Sequence, residues 1–228
     1  MRIFSTSDIH GNYRIMEKLS NIDMGYKIDM IFICGDIGGN DHNPKDGGIM
    51  TFGLCQKQDE AHLISVLNEL VTPSYYILGN DDWFETNTSY YLREPIYKYN
   101  LTFIPFEFIS QTPFNTNREV NENKMRYELE KLTNNHGEFN NSIIVAHTPP
   151  YGAGDRLYNG KCCGSLNIRK WISKYQPKIW LCGHIHEDMS LDTIGNTLVV
   201  NCACNHQDNK LKGYVIDTET LKCEYIEI

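Results

Sequence analysis

The 228-residue chain is long enough to bury a substantial core without disulfide or metal staples. With 41% hydrophobic and 22% charged residues it has the make-up of a globular protein, and a formal charge of −8 argues against one that works by coating nucleic acid. A small phosphate-bearing substrate stays compatible with that charge, because carboxylates gathered around divalent cations are neutralised when the ions are bound.

Met1 and Arg2 lead straight into an apolar segment, Ile3–Ser5, without the basic stretch and ~7–15-residue apolar core of a signal peptide. No apolar run approaches the ~20 residues that span a bilayer. Five short runs rich in Ile, Val, Tyr and Phe read as buried strands, and each stops at a polar cluster. Ile3–Ser5 ends at Ser7-Asp8-Ile9-His10-Gly11-Asn12, and Met30–Cys34 ends at Gly35-Asp36. Tyr75–Leu78 ends at Gly79-Asn80-Asp81-Asp82, Ile143–Ala146 at His147, and Ile179–Cys182 at Gly183-His184-Ile185-His186.

Between these runs lie helical patterns. Ala61, Ile64, Leu67 and Val71, with Leu63 and Leu70, make an apolar stripe that the sequence opens at Asp59-Glu60 and closes before Pro73. Met125, Leu129 and Leu132 repeat the spacing, as do Ile168, Trp171, Ile172 and Tyr175 before Pro177. Strand–helix alternation predicts an α/β core with parallel strands. After His186 the pattern becomes hairpin-connected: Met189–Thr193, a Gly195-Asn196 turn, Leu198–Cys202, Gly213–Asp217 and Cys223–Ile228. The sheets are therefore expected to be mixed. Trp83 to Asn141 holds no candidate ligand cluster; Ile104-Pro105-Phe106 and Phe108-Ile109 predict one or two strands there, and the rest is expected to shape the mouth of a site. No composition break divides the chain, so 1–228 reads as a single domain. The eight cysteines form no C-x-x-C pair, and Cys34 and Cys182 lie inside apolar runs, which predicts a reduced, cytoplasmic protein.

In α/β sheets functional groups collect beyond the carboxyl ends of strands. All five clusters supply Asp, Asn or His, which offer oxygen or imidazole nitrogen to a divalent metal and need no thiolate. His184 and His186 are alternate residues of an extended segment, so both rings face one side. Asp36, pressed to the backbone by Gly35, is the natural carboxylate to bridge two cations ~3.5–4 Å apart. Gly79 and Gly183 likewise allow close approach of the chain.

The motifs D-x-H, G-D, G-N-x-D, H and G-H-x-H, in that order from Asp8 to His186, resemble the signature of the calcineurin-like metallophosphoesterase superfamily. The resemblance implies a four-layer αββα sandwich of two mixed β-sheets flanked by helices. It implies that Asp8, His10 and His186 hold one divalent ion and Asn80, His147 and His184 the other, with Asp36 between. Mn2+ heads the ions such donors take, with Fe, Zn2+, Ni2+ and Co2+ as alternatives. Ala146-His147-Thr148-Pro149-Pro150-Tyr151-Gly152, Asp155, Gly164-Ser165, Leu181–Glu187 and Val200-Asn201-Cys202-Ala203 are similar to a small single-domain branch that includes the MPPED group and prokaryotic phosphoesterases.

One position departs from the pattern. Most phosphatases of the superfamily carry His after G-N, where this chain has Asp81. An ionised Asp repels phosphate, and it acts as an acid only where neighbours or burial raise its pKa. The expected chemistry is in-line attack on phosphorus by a hydroxide bridging the two ions, with Asp36, Asn80, Asp81 and His147 as the catalytic set. A phosphodiesterase is favoured over a monoesterase, because low-pKa leaving groups need no histidine acid.

Asn12, Arg156 and Tyr158 are candidate substrate contacts, and Asp82 and Glu187 are candidates for orienting the ligands from behind. His42, His62, His136 and His206 fit no motif and read as surface or structural residues, although His42, six residues past Asp36, lies within reach of the site. Arg169, Lys170, Lys174 and Lys178 read as the solvated face of a helix. A metal-binding scaffold that has lost catalysis, a nuclease and a protein phosphatase are the alternative functions. Filled ligand positions weigh against the first, and the acidic balance against the second.

Overall fold

In the computed structural model, which describes residues 1–39 and 49–228 (49–52 by backbone alone), the apolar runs become strands and the 3.6-residue stripes become helices. The strands are β1 (Arg2–Thr6), β2 (Met30–Cys34), β3 (Ser74–Ile77), β4 (Ile96–Lys98), β5 (Leu101–Phe106), β6 (Ile109–Ser110), β7 (Glu119–Val120), β8 (Ser142–Ala146), β9 (Ile179–Cys182), β10 (Leu191–Ile194), β11 (Thr197–Asn201), β12 (Lys212–Asp217) and β13 (Cys223–Glu227). The helices are α1 (Tyr13–Glu17), α2 (Leu19–Gly25), α3 (Ile49–Leu67), α4 (Glu122–His136) and α5 (Leu166–Tyr175).

Two mixed sheets result. One has the order β13-β12-β1-β2-β3 and the other β10-β11-β9-β8-β5-β4, with β6 and β7 as a separate small pair. The strands β1, β2 and β3 run parallel, as do β5, β8, β9 and β11. Antiparallel pairing comes from β12 and β13 in the first sheet and from β4 and β10 in the second. The residues of β2, β8 and β9 are buried on both faces, as central parallel strands require.

The period-2 alternation of these strands sorts the core into three apolar clusters, and so into layers. Phe4, Ile31 and Ile33 pack outward on Ile15, Leu19, Leu63 and Leu67 of the first three helices. Ile3, Phe32 and Cys34 point the other way, onto Phe103, Ile143, Val145 and Leu181 of the second sheet. The opposite face of that sheet, with Ile144, Trp180 and Val199, packs on Met125, Leu129, Ile168 and Trp171 of α4 and α5. This is the helix–sheet–sheet–helix sandwich.

Local signals fix several ends. Asn121 and Ser165 accept from Lys124 N at 3.0 Å and Ile168 N at 3.2 Å, capping α4 and α5. Two sequence expectations are corrected. The third helix begins at Ile49, well ahead of Asp59-Glu60, and ends at Leu67, leaving Val71 92% exposed. Asp59 and Glu60 are buried anchors inside that helix, taking Gly39 N at 2.9 Å and Tyr76 OH at 2.6 Å. The helices α1 and α2, short and without a long stripe, fall in a stretch where the sequence predicted no element.

Candidate metal centre

The five polar clusters all follow the carboxyl ends of parallel strands: β1, β2 and β3 in one sheet, β8 and β9 in the other. Asp8, His10, Asp36 and His184 sit at φ of 60°, 48°, 52° and 73°. Such conformations cost non-glycine residues ~1–3 kcal/mol each and persist where surrounding structure imposes them. Here Asp8 N donates to Gly35 O, His10 N to Asp36 O and Gly11 N to Ile37 O, at 3.0, 3.0 and 2.7 Å, zipping the first two loops together. Gly183 N donates to His147 O at 3.0 Å and joins the two loops of the second sheet.

The side chains converge. His147 Nε2 lies 3.3 Å from Asp36 Oδ2, 3.1 Å from Asn80 Oδ1 and 3.9 Å from Asp8 Oδ1. His186 Nε2 lies 3.1 Å from Asp8 Oδ1 and 3.4 Å from His10 Nε2, which is itself 3.8 Å from Asp36 Oδ2. The His147 and His184 rings are 5.1 Å apart. Three donor triplets with mutual distances within 4.8 Å emerge among the described residues: Asp8–His10–Asp36 and Asp36–His147–His184, which share Asp36, and His10–His186–His206.

Asp8 and Asp36 are buried, and among the described residues their ion pairs are with histidines rather than Lys or Arg. Burial works to raise both carboxylates, yet the imidazoles win. His147 and His10 hold Asp36 at about 2, and His186 and His147 hold Asp8 well below the usual carboxylate range. Burial likewise disfavours charge on His147, but Asp36 and Asp8 lift it to about 10. Burial and the neighbouring His147 push His184 down to about 4. His10 Nδ1 is buried with no hydrogen-bond partner. Two carboxylates, one carboxamide oxygen and four imidazoles around one point suit divalent cations of the Mn–Zn series, so the donor set fits a metal.

A pH dependence of metal uptake follows. His147, held near 10, is charged at neutral pH, whereas a ligand imidazole is neutral; were His147 to ligate an ion, binding would expel its proton. Affinity is expected to rise from pH 7 toward 10. Calorimetry in buffers of different ionisation enthalpy should register the released proton, and equal heats in all buffers at pH 7 would contradict this.

Behind the donors stands Asp82. Its Oδ1 accepts from Ile37 N at 2.9 Å and Gly38 N at 2.8 Å, and its Oδ2 from Gly79 N at 2.8 Å, tying the G-D loop to the G-N-x-D loop. Burial and the nearby Asp36 charge push its pKa up to about 7 against these three donors. Asp81 turns its backbone N–H onto Asp36 Oδ1 at 2.8 Å, while its carbonyl takes Gln56 Nε2 at 2.6 Å.

The loops leave no room for side chains at their glycines. A Cβ on Gly79 would fall on Asp36 Oδ1 and 2.6 Å from Asp36 N; one on Gly35 would meet His147 Nδ1 at 2.7 Å. Gly79→Ala is therefore expected to displace Asp36 and cut metal affinity by at least the ~10–100-fold typical of lost ligand support. A titration with Mn2+ checks this, and unchanged affinity would contradict it.

Sequence reasoning missed contributions from the 83–141 segment. Asn117 N donates to Asn80 O at 2.9 Å, Asn80 Nδ2 donates to Thr116 Oγ1 at 3.1 Å, and Arg118 grips the carbonyls of Gly79 and Asp82. Three consecutive polar residues in a loop carry no pattern that would single them out. Asn201 holds the G-H-x-H loop through Ile185 O at 2.9 Å.

The predicted peripheral residues fare differently. Asn12 is taken up within the fold: its Oδ1 caps α1 at Ile15 N (3.2 Å), and its Nδ2 donates to His206 O (2.7 Å) and Asn209 Oδ1 (2.9 Å). Arg156 and Tyr158 are exposed, and Arg156 is anchored by its backbone N–H to Asp188 Oδ2 at 2.8 Å. Glu187 is exposed, and its neighbour Asp188 accepts the Arg156 N–H at 2.8 Å. His62 stacks on Tyr13 at 4.0 Å, and His136 lies at the end of α4. His42 lies outside the described residues. His206, read from sequence as structural, stands 4.6 Å from the His10 ring and 5.9 Å from that of His186.

A sandwich of two mixed sheets that gathers Asp, Asn and His at its strand ends is the arrangement that the resemblance to metal-dependent phosphoesterases implies. The family model described as calcineurin-like phosphoesterase matches residues 1–188, and the chain belongs to that family. It is a metallophosphoesterase, a hydrolase acting on phosphoester bonds. An uncharacterised protein of Methanocaldococcus jannaschii is 29% identical over 208 residues, 88% of this chain and 87% of its own. Among solved structures, the fold is similar to a dimetal phosphatase from Danio rerio (TM-score 0.61, 9% identity, 100% of this chain and 98% of that one). It is also similar to an archaeal phosphodiesterase (TM-score 0.52, 13% identity, 100% of both chains). Among the described residues no helix is long and apolar enough to cross a membrane.

Proposed function

We propose that this chain hydrolyses small phosphodiesters using two divalent ions, one held by Asp8, His10 and His186, the other by Asn80, His147 and His184, with Asp36 between them. The observation that carries this reading is that Asp36 is shared by the donor triplets Asp8–His10–Asp36 and Asp36–His147–His184. When bound, the ions supply Lewis-acid charge for the phosphoryl oxygens and acidify the attacking water. Mn2+ heads the candidate ions, ahead of Fe, Zn2+, Ni2+ and Co2+, and the similarity to a dimetal phosphatase supports the number two.

The chain's own groups set the rest. Asp36 and Asp8 concentrate negative charge that only cations or imidazolium can offset. Asn80 presents its oxygen toward His147 while Thr116 holds its amide nitrogen. Asp81, whose backbone N–H supports the Asp36 carboxylate, adds an acidic side chain with its Oδ1 3.4 Å from Asn80 Nδ2. A monoester carries ~1.5–2 negative charges near neutral pH, so Asp81 repels it more than a singly charged diester. That asymmetry, together with the likeness to a phosphodiesterase, favours diesters.

The test compares bis(p-nitrophenyl) phosphate with p-nitrophenyl phosphate in Mn2+. Wild type is expected to prefer the diester, and Asp81→His to shift the ratio of kcat/KM toward the monoester by ~10-fold or more, within the range of positioned acid catalysis. An unchanged ratio would remove Asp81 as the determinant. Two bound ions with no turnover of any phosphoester would favour a scaffold instead.

A further inference from the structure

We infer that His206, outside every motif of the family pattern, is a further ligand to the ion at Asp8, His10 and His186. This rests on the two-ion reading above and adds a residue to it. One ring nitrogen from each of His10, His186 and His206 can be chosen so that all three lie within 4.8 Å of one another. Two nitrogens bound to one ion at ~2.1 Å stand no more than ~4.2 Å apart. The 3.4 Å between His10 and His186 Nε2 satisfies this directly, and a shift of under ~1 Å at the His206 ring closes the remainder.

The His206 loop is built onto the D-x-H turn. Asn12 Nδ2 holds the His206 carbonyl at 2.7 Å, Cys204 N donates to Ser7 O at 2.9 Å, and Ser7 bridges Ala203. Lys18 Nζ fixes the far end of the loop through Asn209 O at 2.8 Å. The residue that follows His10 and Gly11 in sequence thus pins the backbone of the third histidine beside His10. Nine-tenths buried and with no hydrogen-bond partner for its Nδ1, His10 has its ring centroid 4.6 Å from that of His206, with the two planes tilted by 53°. With Asp8 and Asp36, three imidazoles make this pocket richer in nitrogen than its neighbour of Asp36, Asn80, His147 and His184.

Cobalt provides the test, because its spectrum reports its ligands. Wild type should take up two Co2+ without a thiolate-to-cobalt charge-transfer band. His206→Cys should take up two and show that near-ultraviolet band, since the new sulfur then lies in the coordination sphere. His206→Ala should weaken one Co2+ by at least ~10–100-fold and leave the other unchanged, and His206→Asp should restore affinity by returning a donor. Circular dichroism of each metal-free variant checks the fold. Two Co2+ in His206→Cys with no band, or His206→Ala with both affinities intact, overturns the assignment while the two-ion reading stands. A His206→Ala protein that keeps both ions and their spectrum but loses turnover also overturns it, placing His206 against substrate. Wild type binding fewer than two Co2+ sinks the two-ion reading, and this inference with it.

Discussion

Asp36→Asn is expected to lower kcat/KM for a diester by ~10³-fold or more, and to weaken both ions together. The substitution is nearly isosteric, so the sandwich around it is retained. What changes is charge: a carboxylate held at about 2 becomes a neutral amide that offers one oxygen instead of two. Asp36 is shared by the triplets Asp8–His10–Asp36 and Asp36–His147–His184, so neither of these keeps its full set. Its Oδ1 also accepts the Asp81 N–H at 2.8 Å, which an amide oxygen preserves only by turning its NH2 toward the ions. A variant of a residue serving one ion, such as His186→Ala, should spare the other. Equilibrium titration of Mn2+ alongside steady-state kinetics distinguishes the cases. Near-normal turnover, or loss of a single ion, would contradict the shared position.

The second large effect falls on stability. Asp82→Ala leaves Ile37 N, Gly38 N and Gly79 N buried without their acceptor. An orphaned buried donor costs ~1–3 kcal/mol, so a loss of ~3–5 kcal/mol is expected for the metal-free protein. That is a large share of the ~5–15 kcal/mol typical of folded proteins. Asp82→Asn should fall between, since one amide oxygen keeps its donors while the NH2 faces another. Urea unfolding of the metal-free variants measures this, and a loss below ~1 kcal/mol would show that the loops are held by other contacts.

What could be read in advance follows from how each feature is encoded. The five strand-end clusters are contiguous in sequence, and a strand end fixes where a side chain goes, so the convergence of Asp8, His10, Asp36, Asn80, His147, His184 and His186 could be expected before any coordinates. The alternation of Ile3 with Phe4, and of Phe32 with Ile33, encodes two faces and therefore two cores on either side of one sheet. Other features are not local. Arg118 meets Gly79 and Asp82 only because the segment after β6 folds back over the third loop. His206 reaches His10 through a turn that Asn12 holds across 194 positions of chain. Asp59 and Glu60 look like helix-opening acids, and only the partners that pack on them reveal buried anchors.

One carboxylate, that of Asp36, is proposed to serve two cations. A crystal soaked in Mn2+ and measured at the manganese absorption edge tests it most directly. Two anomalous peaks ~3.5–4 Å apart, with Asp36 between them, are predicted. A single peak, or two peaks of which one lies away from Asp36, would contradict it.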